Sequence, residues 1–184
     1  MKAAVFLDRD GVINVDHGYV SKIDDFKFIE GSIEAMQILK DKGYLLVVVT
    51  NQSGIARGYY SEDDFHKLTE WMDWSLADKG VDLDGIYYCP HHAEKGIGEY
   101  KVECECRKPK TGMLDSAIAE LDIDPSLSLL VGDKLSDVNA GNLAGLKASY
   151  LVNTGKEQYT NDIGNSAALY DNLLAFAKAM PAVN

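Results

Sequence analysis

The chain has 184 residues, 46% hydrophobic and 26% charged, an ordinary balance for a globular protein large enough to bury a core. Its 29 acidic side chains outnumber 18 basic ones, giving a formal net charge of −11 that argues against a nucleic-acid partner, because phosphate-backbone binding needs clustered Lys and Arg. No apolar run approaches the roughly 20 residues that span a bilayer, and the stretch from Met1 to Asp8 reaches acid too early for a signal peptide, so a cytoplasmic location is expected.

The first expected element is a strand over 3–7, an apolar run that stops at Asp8-Arg9-Asp10-Gly11. Asp is a poor strand residue. Two of them at a strand end suit the carboxyl edge of an open α/β sheet, where ligands bind. A helix follows over 32–42, capped by Ser32 and ended by Gly43, with Ile33, Met36, Ile38 and Leu39 on a partly apolar face. The run 44–49 is apolar throughout, as a central strand buried on both faces should be, and it ends at Thr50-Asn51-Gln52-Ser53-Gly54.

Ser61-Glu62-Asp63-Asp64 opens a helix in the manner of a capping box, and Phe65, Leu68, Met72 and Leu76 keep helical spacing to about residue 79. A strand over 83–88 leads into an irregular stretch over 89–110. A helix over 112–121 precedes a strand over 127–131 that ends at Gly132-Asp133-Lys134. A helix over 136–144, a strand over 148–152 and a helix over 167–179 complete the chain. This alternation predicts an α/β domain over 1–184, a doubly wound, mainly parallel sheet with right-handed crossovers. The short spacing after the first two strand-end clusters leaves no room for a separate cap domain.

The three strand-end clusters share one sheet edge and suit phosphoryl transfer, which needs alignment and cations around the phosphoryl oxygens. Asp8 can attack as a nucleophile, and Asp10 can protonate the leaving alkoxide and then deprotonate water. Asp133 can complete a Mg²⁺ site with Asp8 and a backbone carbonyl near Asp10. Thr50 offers a hydroxyl and Lys108 an ammonium to the phosphoryl oxygens. The charge of −11 would repel a phosphate ester, so local cations must outweigh it; the candidates are Arg57, Arg107, Lys108, Lys110 and Lys134.

All three cysteines lie in Cys89-Pro90-His91 and Cys104-Glu105-Cys106. Three thiolates and an imidazole make a full tetrahedral zinc set, closed and therefore structural. It would pin a loop over about 89–107, directly before Arg107-Lys108. The plain alternative is three reduced thiols, and spacing alone leaves both His91 and His92 as the imidazole.

The order Asp8-x-Asp10-Gly11, a strand ending in Thr50, a lysine, then Gly132-Asp133-x-x-x-Asp137 resembles the four motifs of the haloacid dehalogenase superfamily of phosphatases. The form Asp8-Arg9-Asp10-Gly11, followed by Asn14 to Val20, Thr50 to Gly58 and Cys106-Arg107-Lys108-Pro109, is similar to the branch containing histidinol-phosphate and heptose bisphosphate phosphatases. The resemblance implies a Rossmann-like fold and hydrolysis of a small sugar bisphosphate through an aspartyl-phosphate; a monomer with no nucleic-acid or membrane partner is expected beside it. Histidinol phosphate is the alternative substrate, and a non-catalytic sugar-phosphate binder the alternative class.

Under that resemblance Asp8 is the nucleophile, Asp10 the general acid/base, and Thr50 and Lys108 stabilise the phosphoryl group. Mg²⁺ rests on Asp8, Asp10 and Asp133, with Asp137 in support, and structural Zn²⁺ on Cys89, His91, Cys104 and Cys106. Asp16, His17, Gly18, Tyr19, Thr50, Asn51, Gln52, Ser53, Arg107, Lys108 and Lys134 bind substrate. From the residues alone His17 reads as a solvent-exposed loop side chain; the resemblance turns its loop toward substrate.

Overall fold

The apolar runs pair side by side as one six-stranded, wholly parallel sheet in a computed structural model that describes residues 1–184. In chain order the elements are β1 (Ala4–Leu7), α1 (Ser32–Asp41), β2 (Leu45–Asn51), the short α2 (Ser53–Ala56), α3 (Glu62–Asp78) and β3 (Gly85–Cys89). Then come α4 (Gly112–Glu120), β4 (Leu129–Gly132), α5 (Leu135–Leu143), β5 (Ala148–Val152), β6 (Leu169–Tyr170) and α6 (Leu173–Ala179). The strand order is β3-β2-β1-β4-β5-β6. The chain winds outward from β1 and then returns to β1's other side, which places a topological switch point at its carboxyl end.

Strand alternation sorts the core into two layers. Val5, Leu7, Leu46, Val48, Leu129 and Val131 face α1, α3 and α6, meeting Met36, Leu39, Leu68, Met72 and Phe176. Ala4, Phe6, Val47, Val49 and Leu130 face the other way onto Met113, Leu114 and Ala117 of α4 and Ala140 of α5. Both faces of the central strands are buried, which is why β2 reads as an unbroken apolar run. Each fully buried Leu or Phe contributes about 1.5–3 kcal/mol, enough to hold the strand ends in register. No helix is long and apolar enough to cross a membrane.

Among the boundaries that differ from those expected, three have a local cause. Ser32 lies inside α1 with Gly31 as its cap, because the Ser32 hydroxyl donates instead to the Ile13 carbonyl at 3.1 Å and ties the helix to the loop after β1. Residues 125–127 form a single 3-10 turn capped by the Asp124 carboxylate, so β4 starts at Leu129. The stretch expected as one helix over 167–179 divides: Leu169-Tyr170 pair with β5 at the sheet edge, and α6 begins only after Asn172, whose side chain accepts from Ala175 N at 2.8 Å. The capping box of α3 forms as expected, with Asp64 N donating to Ser61 Oγ and Ser61 N to the Asp64 carboxylate.

Candidate active site

The strand ends converge as the switch point requires. Asp8 leaves β1 with its N–H still donating to Val131 O, so the sheet itself aims its carboxylate. Lys108 is buried, and its Nζ reaches Asp8 Oδ1 at 3.1 Å, Asp137 Oδ1 at 2.7 Å and the Val49 carbonyl at 2.7 Å. Burial alone would lower the Lys108 pKa, but the Asp137 and Asp8 carboxylates more than offset it and hold the group above its ordinary range. Asn51 grips the Lys108 backbone from both sides, its Oδ1 accepting from Lys108 N at 3.1 Å and its Nδ2 donating to Lys108 O at 3.3 Å. A residue expected to touch substrate therefore also sets the lysine in place.

Asp10, on the same cavity, is held by a different set of partners. Its Oδ1 accepts from Arg9 Nε, Arg9 Nη2 and Asn14 Nδ2 at 2.9–3.2 Å, and its Oδ2 accepts from Gln52 Nε2 at 3.1 Å. Gln52 also donates to Thr50 Oγ1 at 2.9 Å and accepts from the Tyr60 hydroxyl at 2.5 Å. Gln52 is thus a buried connector between Tyr60, Asp10 and Thr50, whereas sequence reasoning gave it only a substrate contact.

Asp8, Asp133 and Asp137 bring carboxylate oxygens within 4.8 Å of one another. Burial raises the Asp133 carboxyl to about 9, with the charges of Asp8 and Asp137 adding to it. Burial likewise raises Asp8 to about 6, Asp137 adding and Lys108 opposing. Both Asp133 oxygens are buried without a hydrogen-bond partner. A cradle closes around them: a Cβ on Gly11, whose φ is +84°, would lie 2.5 Å from Asp133 Oδ2, and one on Gly155 would lie 2.2 Å from it. Unpartnered hard oxygens in a glycine-lined recess fit a small divalent cation such as Mg²⁺. Asp10 stands outside this trio and Asp137 inside it, so Asp10 would reach a cation only through its main chain.

A second group of possible ligands sits at the end of β3. Cys89 Sγ, Cys104 Sγ, Cys106 Sγ and His91 Nδ1 all lie within 4.8 Å of one another. His92 is engaged elsewhere, its Nδ1 accepting from Glu94 N and Lys95 N, which leaves His91 as the imidazole of the group. Against burial, which raises it, the Arg107 N–H and the neighbouring thiols lower the Cys104 thiol to about 7. A soft set of three sulfurs and one nitrogen, with one thiol near neutrality, fits a tetrahedral metal.

Above the carboxylates opens a cavity of about 510 Å³. Asp8, Asp10, Asp16, Gly18, Tyr19, Asn51, Gln52, Ser53, Arg107, Lys108 and Lys134 all line it. Thr50 is buried beneath, and the exposed His17 side chain stands outside the lining. Lys134, at the start of α5, is held above its ordinary pKa: burial lowers it, but the Asp133 and Asp8 charges raise it further. Lys110 pairs instead with Glu103 at 2.8 Å and is no part of the cavity. Arg57, one of the cations expected to offset the net charge at the site, also lines the cavity, and Tyr60, Ser136 and Lys156 line it without having been singled out. Lys156 had a legible signal: β5, like the three strands singled out, ends in a polar cluster, Asn153-Thr154-Gly155-Lys156.

A strand-end carboxylate paired with a buried lysine, beside a carboxylate recess that could hold a cation at the switch point of a parallel sheet, is the arrangement of a phosphohydrolase of the haloacid dehalogenase type. The family model described as HAD-hydrolase-like matches residues 105–175. The D-glycero-β-D-manno-heptose-1,7-bisphosphate 7-phosphatase of Pasteurella multocida (strain Pm70) is 69% identical over 156 residues, covering 85% of this chain and 84% of that one. The Escherichia coli (strain K12) protein of the same name is 58% identical over 172 residues, covering 94% and 90%. A crystal structure of D,D-heptose 1,7-bisphosphate phosphatase from B. bronchiseptica, complexed with magnesium and phosphate, superposes with a TM-score of 0.84 at 34% identity, covering 97% of each chain. The chain belongs to the D-glycero-β-D-manno-heptose-1,7-bisphosphate 7-phosphatase family.

Proposed function

We propose that the protein hydrolyses the C7 phosphate of D-glycero-D-manno-heptose 1,7-bisphosphate, giving heptose 1-phosphate and inorganic phosphate. The observation that carries this reading is the joint placement of Asp8, Lys108 and the Asp133 recess under one cation-rimmed cavity, in a chain 69% identical to a phosphatase of that name. The relatives' names support the β-anomer.

An Asp8 carboxylate oxygen attacks phosphorus while the bond to O7 breaks in line, and the electron pair leaving on O7 takes a proton from Asp10. In the second half Asp10 takes a proton from water, whose oxygen attacks the aspartyl-phosphate and restores Asp8. Three neighbouring side chains fix Asp10 by donation, so the same carboxyl stays in place for both proton transfers. Thr50 and Lys108 hold the phosphoryl oxygens. Bound Mg²⁺, on Asp8, Asp133 and the main chain at Asp10 with Asp137 in support, would supply positive charge at those oxygens. Zn²⁺ on Cys89, His91, Cys104 and Cys106 would set the loop over 89–107, and through it Arg107 and Lys108.

We take the chain as one phosphatase domain over 1–184, a cytoplasmic monomer whose partner is the small sugar bisphosphate. The test is phosphate release from the α- and β-anomers of heptose 1,7-bisphosphate beside histidinol phosphate. Faster turnover of the β-bisphosphate is expected; a preference for histidinol phosphate would overturn the reading.

A further inference from the structure

The segment after β5 is closed on itself by its own side chains. Asn153 Nδ2 donates to Tyr159 O at 2.9 Å, and Asn153 Oδ1 accepts from Tyr159 N at 2.8 Å. Gln158 Nε2 donates across the turn to Asn153 O and Gly155 O at 3.1 and 3.2 Å. Thr154 Oγ1 donates to Gly11 O at 2.7 Å, which fastens the turn to the loop that carries Asp8 and Asp10. A loop tied in this way loses little further freedom when a ligand binds.

Lys156 is carried on this turn. It lines the cavity with a side chain 56% exposed, and its Nζ stands 3.9 Å from Asp16 Oδ1, beyond hydrogen-bond distance. A Cβ on Gly18 would lie 3.1 Å from Nζ, so the ammonium is seated directly on the loop over 16–20. The ammonium is therefore placed at the cavity but only loosely engaged. The other ammonium groups sit lower, at the phosphate being cleaved: Lys108 is buried against Asp8 and Asp137, and Lys134 stands beside the Asp133 carboxylate. A bisphosphate delivers two clusters of negative charge to a protein of net charge −11, so cations at the rim of the cavity, Lys156 with Arg57 and Arg107, are needed beside those at its floor.

We propose that Lys156 is a specificity-determining residue that binds the phosphate remote from the one being cleaved, exchanging its long pairing with Asp16 for a charge-assisted contact. The inference rests on the sugar-bisphosphate reading above and adds to it the residue that recognises the second phosphate.

The test measures kcat/KM of the full chain and its Lys156→Ala and Lys156→Arg variants, with Mg²⁺, on heptose 1,7-bisphosphate and on heptose 7-phosphate. One charge-assisted contact corresponds to about 10- to 100-fold, so Lys156→Ala should lose that much on the bisphosphate, chiefly in KM, and at least about tenfold less on the monophosphate. Lys156→Arg should recover most of the loss. Equal losses on the two substrates would make Lys156 a mere staple of the loop and overturn the proposal, as would no loss on either.

A wild-type enzyme that ignores heptose bisphosphate would overturn the heptose reading by itself. Lys156 is then decided by competition against p-nitrophenyl phosphate turnover. Fructose 1,6-bisphosphate should lose about tenfold of its advantage over fructose 6-phosphate as an inhibitor in Lys156→Ala. The same advantage in both proteins would overturn the role of Lys156.

Discussion

The two ligand clusters of this molecule are built on opposite plans. Asp8 and Asp133 at the ends of central strands and Asp137 in the first turn of α5 offer hard oxygens beside a cavity, and burial together with neighbouring carboxylates raises Asp8 and Asp133. Cys89, His91, Cys104 and Cys106 are soft donors at the edge strand β3 and in the loop after it, four in number, as a closed tetrahedral site needs. A recess with unpartnered oxygens and an open side suits a cation that shares its ligands with substrate. A closed set suits one that holds the chain. Under the proposed function the first cluster would carry reaction chemistry and the second would carry geometry.

Asp8→Asn strikes the first cluster hardest: phosphate release should fall by at least about 10³-fold while substrate still binds, since the amide cannot attack phosphorus. Normal turnover in this variant would remove Asp8 from the nucleophile's role. Next is Lys108→Met, which leaves Asp8 and Asp137 facing each other without a cation; removing one partner of such a buried ion pair costs about 3–5 kcal/mol. Chemical denaturation should show that loss alongside reduced activity, and a stable variant would mean that the pairings at 3.1 and 2.7 Å carry little energy.

Mild EDTA treatment sharpens the contrast between the clusters. Activity should vanish and return with Mg²⁺, while elemental analysis finds about one zinc retained per chain throughout, as expected of four protein ligands. Zinc that leaves together with activity would erase the distinction. Gln52→Leu is expected to do less, about tenfold in kcat, because it loosens Asp10 and Thr50 without removing either. An unchanged kcat would show that Arg9 and Asn14 suffice to orient Asp10.

Glu62→Gln is the smallest change. The Glu62 carboxylate accepts from the Tyr88 and Tyr100 hydroxyls at 2.6 and 2.8 Å, joining both sides of the thiol loop to α3, and those bonds hold its pKa below the ordinary value. The stabilisation is present above the ordinary Glu range and is lost as pH falls through the lowered value. The amide should cost about 1 kcal/mol at neutral pH and flatten the acid limb of the stability curve. An identical acid limb in both proteins would deny Glu62 this role.

The floor of the site was legible because polar clusters interrupt apolar strands at Asp8, Thr50 and Asp133, and burial makes such interruptions costly without a function. The connecting side chains were not. Nothing in the spelling of Gln52 or Asn51 says that one turns inward to Asp10 and the other clasps Lys108, since those partners lie 42 and 57 residues away. Lys156 escaped for a different reason, as the strand-end rule applied to β1, β2 and β4 holds equally for β5. The tail misled because Ala167 to Leu169 continues an apolar spacing, while an edge pairing of two residues leaves almost no pattern.

The place of β1 in the sheet governs when this enzyme can first work. One neighbour, β2, follows within a few dozen residues, but the other, β4, begins at Leu129. A growing chain that has not reached that strand leaves β1 with an open side, and Asp8 without the Val131 carbonyl that aligns it. Asp133 and Asp137 arrive within the same few residues. The pairing of β1 with β4 closes a long loop, and the same segment that supplies the Val131 carbonyl to Asp8 also brings Asp133 and Asp137 beside it, so one pairing assembles the whole carboxylate cluster.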